Sequence, residues 1–334
     1  MTKKHWYFSL SLLVAISLAV PPLARLGVSF SSDYYSHIPL IPLVSAYLFY
    51  QRRKTFVDVS NYEPRWGLAM AGMGFLLYAA GMWMPWLHQQ DSPSLLVFSS
   101  LLFFFGSFMF SYGRRAFKRY AFPLLFLLFM VPLPNKLMDG IIYFLLSGSA
   151  EVTDMIFKAT GIPYLREGFV FQMPRFSIEI AKQCSGIRSS LALLITVVLA
   201  AHLFLRTYWQ KAVLVVCVLP IALVKNGIRI SVLTFLGMYV NQRILTEGFL
   251  HKSGGILFFI PAIVLIGIIL SLLRRVNSER VLSIVGCMNA VKRAAGSPLA
   301  TDPTIRSAVS LSVSPGLPFS GSHAQWGNGE PEKR

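Results

Sequence analysis

The chain has 334 residues, of which 54% are hydrophobic and 13% are charged, and its formal net charge at pH 7 is +17. Soluble domains carry about 25% charged residues, so this composition excludes an ordinary soluble protein and indicates a polytopic membrane protein. A nucleic-acid-binding protein concentrates its basic residues on one face or helix, whereas here they lie in short clusters between apolar runs. We therefore expect the lipid bilayer, and no nucleic acid, as a partner.

Eight apolar segments predict transmembrane helices. In chain order they are 6–23, 38–50, 66–87, 95–112, 120–131, 186–205, 212–229 and 255–273. The second is short for a crossing, so we expect it to begin near Tyr34, and the apolar character of the seventh continues through Val240. The sequence thus predicts an all-α membrane bundle of about eight transmembrane helices.

The basic residues of the short loops predict the orientation of this bundle. Clusters such as 52–54 and 114–119 fall on the side of the N-terminus, and the opposite connections hold few lysines or arginines. Both termini are therefore expected in the cytoplasm, with the protein in the cytoplasmic (inner) membrane. Residues 276–334 are rich in Ser, Pro and Gly, which predicts a mostly disordered cytoplasmic tail after a transmembrane domain of residues 1–275.

Residues 135–183 are more polar than an ordinary span. Apolar residues recur at three- and four-residue spacing within 137–160, which predicts a helix lying at the membrane surface. The run from Phe169 to Met173 follows Gly161-Ile162-Pro163 and is typical of an extended strand. The predicted orientation places this whole segment on the extracytoplasmic side.

Cys184 lies in Gln183-Cys184-Ser185-Gly186, immediately before the sixth predicted span. The positive end of a helix dipole favours the thiolate, which is the nucleophilic form of cysteine. The alternative is that Cys184 is a small apolar residue at a helix end. The other two cysteines, Cys217 in an apolar span and Cys287 in the tail, form no CxxC pair with it, so neither a zinc site nor a disulfide framework is indicated.

The seventh span contains the polar run Lys225-Asn226-Gly227-Ile228-Arg229. An ionisable residue within a membrane costs roughly 2.5 to 3.5 kcal/mol on insertion scales, and such residues are usually functional or paired. Asn226 and Arg229 are three residues apart and share a helix face. Arg229 is therefore a candidate for holding an anionic group, and the alternative is that it snorkels at the outer end of the span.

His251 precedes the eighth span on the same predicted side as Cys184. Histidine is the usual proton shuttle near neutral pH, although an interfacial histidine without a catalytic role is the alternative. A thiol, a guanidinium and an imidazole on one side supply a nucleophile, an oxyanion stabiliser and an acid/base. These are the groups that acyl transfer requires.

The chain resembles the exosortase/archaeosortase family of membrane-embedded cysteine transpeptidases over most of residues 35–275. The resemblance includes the segments 36–53, 131–134 and 161–168. Its most specific part is an ordered set of three motifs: Ala181-Lys182-Gln183-Cys184-Ser185-Gly186-Ile187-Arg188-Ser189, then Asn226-Gly227-Ile228-Arg229-Ile230, then His251.

The resemblance implies a substrate that is a secreted protein with a C-terminal PEP-CTERM-like sorting signal, made of a short motif, a membrane helix and a basic end. Cys184 would form a thioester with it, Arg229 would stabilise the oxyanion or keep the thiol ionised, and His251 would transfer protons to and from the leaving amine and the envelope acceptor. Neither a metal nor an organic cofactor is expected.

Supporting positions complete the predicted site. They are Asn226, Glu179, Arg188, Ser185, Gly186 and His37. Glu179 is a candidate for orienting Arg188 or Arg229, with a solvated charge as the alternative, and His37 is a second candidate acid/base. The competing interpretation of the whole chain is a transporter or a non-catalytic scaffold of an exopolysaccharide system, in which Lys225 and Arg229 line an anion path.

Overall fold

The computed structural model describes residues 3–27, 35–52, 64–83, 91–174, 176–239 and 257–276. The α-helices in these ranges are α1 (Lys3–Arg25), α2 (Leu40–Gln51), α3 (Pro64–Trp83), α4 (Ser92–Arg119), α5 (Ala121–Phe126), α6 (Asn135–Thr160), α7 (Ile187–Phe204), α8 (Tyr208–Val216), α9 (Val218–Tyr239) and α10 (Leu257–Val276). Two short 3-10 helices, Leu127–Met130 and Lys182–Ser185, and three strands, β1 (Leu165–Glu167), β2 (Val170–Gln172) and β3 (Ser177–Glu179), complete the described secondary structure.

Seven helical segments among the described residues are long and apolar enough to cross a membrane: Trp6–Arg25, Pro64–Trp83, Ser92–Arg119, Asn135–Thr160, Ile187–Phe204, Tyr208–Tyr239 and Leu257–Val276. Two shorter apolar helices, Leu40–Gln51 and Ala121–Met130, accompany them. The prediction of an all-α, multi-pass membrane bundle is therefore confirmed. The second predicted span begins at Leu40, after a turn at residues 35–39, rather than near Tyr34.

The main difference from the sequence analysis is α6. The segment predicted to lie at the membrane surface forms a helix of 26 residues with the length and composition of a spanning helix. Its central part from Gly140 to Phe157 carries only Glu151 and Asp154 as charged residues. Both carboxylates pair with Arg166 of β1, and Asp154 also pairs with Lys158 of α6.

Glycines on α3 allow the backbones of α3 and α4 to approach each other closely. Gly67, Gly74 and Gly81 repeat every seven residues along α3 and are all buried. A Cβ at Gly67 or at Gly74 would lie 2.4 Å from a backbone nitrogen of α4, that of Phe110 or Phe103 respectively. Small residues permit this close approach where the surrounding lipid offers no hydrophobic driving force.

The small sheet packs on α6 and leads the chain to the candidate site. Its strands are antiparallel in the order β1-β2-β3, with Arg166 opposite Phe171 and Phe171 opposite Ile178. Phe171 is buried and meets Phe157 of α6 edge to face at 5.5 Å between ring centroids. The extended run predicted at Phe169–Met173 is thus observed as β2, within a sheet whose other two strands were not predicted.

The same apolar cluster joins the sheet to the helices around the site. Its buried members come from α6, from β2, from the residues that directly follow β2 and β3, and from α7 and α9: Met138, Ile142, Leu145, Leu146, Ala150, Phe157, Phe171, Met173, Ile180, Ile187 and Ile230. Cys184 packs against this cluster. The cluster therefore fixes the position of the chain between β3 and α7.

Candidate active site

Cys184 lies in the short 3-10 helix Lys182–Ser185, called the cysteine turn below. The turn begins three residues after β3 ends, and the Cys184 backbone N–H donates to the carbonyl of Ala181 at 2.8 Å. Lys182, the first residue of the turn, forms an exposed ion pair with Asp139 of α6 at 3.1 Å. The thiol-bearing residue is itself half-buried, so the turn presents Cys184 at the boundary of the apolar cluster rather than inside it.

Gly186 connects the cysteine turn to α7 in a conformation that only glycine adopts without strain. Its φ is +71°, in the left-handed region. A Cβ at this position would lie 2.7 Å from Oδ1 of Asn226, so a side chain is excluded by contact as well. The carbonyl of Gly186 then accepts the first bond of α7, from the Ser190 N–H at 2.9 Å.

Asn226 ties α9 to the cysteine turn and to α6. It is only 1% exposed, and its Nδ2 donates to the carbonyl of Cys184 at 2.9 Å and to Oγ of Ser149 at 3.0 Å. Hydrogen bonds of a buried amide are costly to break, because the groups left behind have no water to replace them. The amide therefore fixes the backbone of the nucleophile candidate relative to two membrane helices.

Lys225 makes a parallel connection from α9 to α7. Its ammonium group is buried and donates a short hydrogen bond to Oγ of Ser189. Ser189 Oγ in turn donates to the carbonyl of Gly186 at 2.9 Å, and Ser190 Oγ donates to the same carbonyl at 2.9 Å. Thus α9 binds two consecutive parts of the chain. Asn226 binds the cysteine turn, and Lys225 binds the first turn of α7 that follows it.

A third group of polar contacts anchors the sheet that carries the cysteine turn. Arg166 of β1 lies 2.7 Å from a carboxylate oxygen of Glu151 and 3.7 Å from one of Asp154, both on α6. The Tyr164 hydroxyl donates to Oδ1 of Asp154 at 2.7 Å. Burial and the adjacent carboxylate raise the pKa of Tyr164 to about 12, so the phenol stays neutral and continues to donate at physiological pH.

The sequence model of the transmembrane exosortase family matches residues 29–268, which is most of the chain. The chain belongs to the exosortase family. The match confirms the resemblance drawn from the sequence motifs, and it covers both the cysteine turn and the polar run of α9. Comparisons with curated proteins and with solved structures each found no match to the chain. Membership implies membrane-embedded action of this exosortase on secreted substrates.

The structure brings some of the predicted site residues of this exosortase together. Cys184, Gly186 and Asn226 are in direct contact, as described above. Ser185 is fully buried within the cysteine turn. Arg229 is half-buried on α9, one turn beyond Lys225.

Other predicted residues are exposed near the cysteine turn, contact another part of the fold, or lie outside the described ranges. Glu179 is exposed at the end of β3, and Arg188 is exposed in the first turn of α7. His37 is half-buried in the turn before α2; burial lowers its pKa, and a hydrogen bond to the backbone of Phe129 opposes this effect. His251 lies outside the described residues, so its role stays a prediction.

Ser149 and Ser189 belong to the site but were not predicted. Each hydroxyl accepts a hydrogen bond from the polar run of α9. A sequence signal for Ser149 exists in Ser147-Gly148-Ser149-Ala150, because runs of small residues mark close contacts between membrane helices. Ser189 carries no such signal, since serine is common in the first turn of a helix.

Proposed function

We propose that this exosortase is a cysteine transpeptidase that cleaves the C-terminal sorting signal of secreted proteins and transfers them to an envelope acceptor. The observation that supports this proposal is a half-buried thiol in a turn that is held on both flanks. Asn226 fixes the Cys184 carbonyl, and Gly186 allows α7 to begin at Ile187. A nucleophile on a rigid support at a helix N-terminus is suited to attack a carbonyl.

The proposed first step forms a thioester. The Cys184 thiolate attacks the peptide carbonyl carbon beside the sorting motif, the S–C bond forms, and the C–N bond breaks. The leaving amine takes a proton and departs with the membrane helix and basic end of the signal. Arg229 is proposed to stabilise the oxyanion that develops at the carbonyl oxygen, since a guanidinium stays charged and presents several donors.

The proposed second step transfers the secreted protein. An amine or hydroxyl of the envelope acceptor loses a proton and attacks the thioester carbonyl, the C–S bond breaks, and the Cys184 thiolate is restored. His251 is assigned both proton transfers on the basis of the family motif, with His37 as the second candidate. The chemistry proposed here is complete with protein side chains alone.

We further propose that the site faces the extracytoplasmic side of the cytoplasmic membrane, where secreted substrates with PEP-CTERM-like signals arrive. The proposal follows from the loop lysines and arginines, which favour both termini in the cytoplasm, and from a count of eight crossings in which α6 crosses in place of the short helix Ala121–Met130 and α2 also crosses. Residues 276–334 would then form a cytoplasmic tail attached to the transmembrane domain of residues 1–275. The apolar helix of the sorting signal would pack between membrane helices beside the cysteine turn.

Co-expression with a secreted reporter that ends in a short motif, an apolar helix and a basic tail tests this function. Wild type is compared with Cys184→Ala, Cys184→Ser and the control Cys217→Ala, a half-buried cysteine between α8 and α9. We expect processing to be lost in Cys184→Ala and to persist in the control. In Cys184→Ser we expect processing to fall at least about 100-fold, because a hydroxyl is a weaker nucleophile than a thiolate. Normal processing by a correctly inserted Cys184→Ala protein would favour the transporter or scaffold interpretation.

A further inference from the structure

Lys225 is a buried cation whose partner is a hydroxyl. The residue is 7% exposed, and its ammonium group donates to Oγ of Ser189. Among the described residues no carboxylate lies within ion-pair distance of it. A buried lysine without a carboxylate is costly, since the hydrogen bond to a neutral group offsets only part of the lost hydration. A second cation, Arg229, lies one turn further along the same helix.

Hydrogen bonds connect Lys225 to the chain around Cys184. Lys225 reaches Ser189, and Ser189 reaches the carbonyl of Gly186, two residues after Cys184. The next residue of α9, Asn226, binds the Cys184 carbonyl itself. The ammonium group therefore lies on the side of Gly186 that faces α7, within about two hydrogen-bond lengths of the Gly186 carbonyl.

The other charged groups around the cysteine turn are exposed or already paired. On the turn itself Lys182 is paired with Asp139 of α6, and both side chains are mostly exposed. Glu179 of β3 and Arg188 of α7 are exposed to solvent. Water screens exposed charges strongly and buried charges weakly. Among the cations of α9 and of the cysteine turn that the structure describes, the buried Lys225 and the half-buried Arg229 are thus the ones that water screens least.

We infer that Lys225 is a positioning residue of the thiol chemistry: through Ser189 it holds the start of α7, and its buried positive charge stabilises the thiolate of Cys184. The inference rests on the proposed function, because a thiolate matters here only if Cys184 is the nucleophile. It adds a fourth residue to the cysteine, arginine and histidine of the family motifs, acting through Ser189 and through its field rather than by touching the substrate.

The pH dependence of Cys184 alkylation separates a charge effect from a structural one. Iodoacetamide is applied to the full-length protein with Cys217→Ser and Cys287→Ser, so that Cys184 is the remaining thiol. We expect the midpoint of alkylation to rise by more than about 0.3 pH units in Lys225→Gln, which keeps a hydrogen-bond donor but no charge.

Two further variants complete the test. Lys225→Arg keeps the charge, and we expect its midpoint within about 0.3 pH units of the parent value. Lys182→Gln removes an exposed charge at the same turn, and we expect a similarly small shift because water screens it. An unchanged midpoint in Lys225→Gln would overturn the inference, and so would equal shifts in Lys225→Gln and Lys225→Arg.

The alkylation measurement does not require a substrate. If Cys184→Ala still processes the reporter, the proposed function fails whatever the titration shows. If processing requires Cys184 but Lys225→Gln titrates like the parent protein, only the role of Lys225 fails. Reporter processing by Lys225→Gln is then measured at two pH values one unit apart. A higher pH should restore processing that was lost because the thiolate was less stable, and it would not restore processing that was lost through a structural defect.

Discussion

Replacing Gly186 with alanine is the sharpest test of the geometry around Cys184. The φ of +71° costs an L-residue about 1–2 kcal/mol by itself. The new Cβ would also lie 2.7 Å from Asn226 Oδ1, so the amide must move. Moving it breaks the hydrogen bonds of Nδ2 to the Cys184 carbonyl and to Ser149, at about 1 kcal/mol each. The total is about 3–4 kcal/mol.

Gly161→Ala is the matched control. Gly161 ends α6 with a φ of +69°, and nothing lies within 4 Å of a Cβ built there. The Gly161→Ala variant therefore has the conformational cost of about 1–2 kcal/mol without a steric clash of the new Cβ. The difference of about 2 kcal/mol between the variants corresponds to roughly 5 °C in melting temperature. Thermal unfolding of the two purified variants in one detergent measures this difference.

Reporter processing gives a second measurement on the same pair. A displaced cysteine turn moves the nucleophile, and misplacement by about 1 Å costs about 100-fold in rate. We expect Gly186→Ala to lose about 100-fold in processing and Gly161→Ala to retain most of it. Equal stability and equal processing in the two variants would show that the Asn226 contact does not hold the turn, and the account of the site given above would be wrong.

Two further predictions concern the scaffold. Arg166→Gln removes the ion pairs that join Glu151 and Asp154 to β1, and we expect the melting temperature of this variant to fall by a few degrees. Lys182→Gln, which removes an exposed ion pair, should lower the melting temperature less. Equal melting temperatures in the two variants would exclude a structural role for the ion pairs of Arg166. Gly74→Leu places a side chain against the backbone of α4 and should lower the free energy of unfolding by about 3 kcal/mol or more. Gly72→Leu on the same helix is the control, because a side chain there meets open space. Similar yields of folded protein from the two variants would contradict the close α3–α4 packing.

Hydropathy predicted most of the helices because the cost of placing a residue in lipid is local to that residue. It was applied to residues 135–183 as one polar segment, although the helix within it, Asn135–Thr160, is apolar enough to span a membrane and its central carboxylates, Glu151 and Asp154, have partners outside the helix. Arg166 and Tyr164 reach them from β1 and the loop before it. The sequence showed the charges of the whole segment but not this pairing, so the helix was predicted to lie at the membrane surface.

The sheet was only partly predictable for a different reason. Each strand has three residues, which is too short for an alternating pattern to be recognised. β2 was predicted because Phe171 and its neighbours are apolar and extended. β1 and β3 carry charged residues and acquire their structure by pairing with β2. Strand pairing of this kind depends on the whole segment rather than on local preference.

The motif residues of the site were predictable, but most of their contacts were not. The three-residue spacing of Asn226 and Arg229 placed both on one helix face, and it did not identify what that face meets. The structure shows that Asn226 binds the backbone of Cys184 and the hydroxyl of Ser149. Periodicity fixes the direction of a side chain around its own helix, whereas the partner depends on how the helices pack.

The run Lys225-Asn226-Gly227 shows why three adjacent polar or small residues occur in an apolar helix. Successive residues of a helix point about 100° apart, so each faces a different neighbour. Lys225 binds Ser189 of α7, and Asn226 binds the cysteine turn and α6. Gly227 lets α6 approach, since a Cβ there would lie 2.5 Å from Cγ1 of Val152. A run that costs free energy on insertion is therefore the junction that holds two helices and the turn of Cys184 in register.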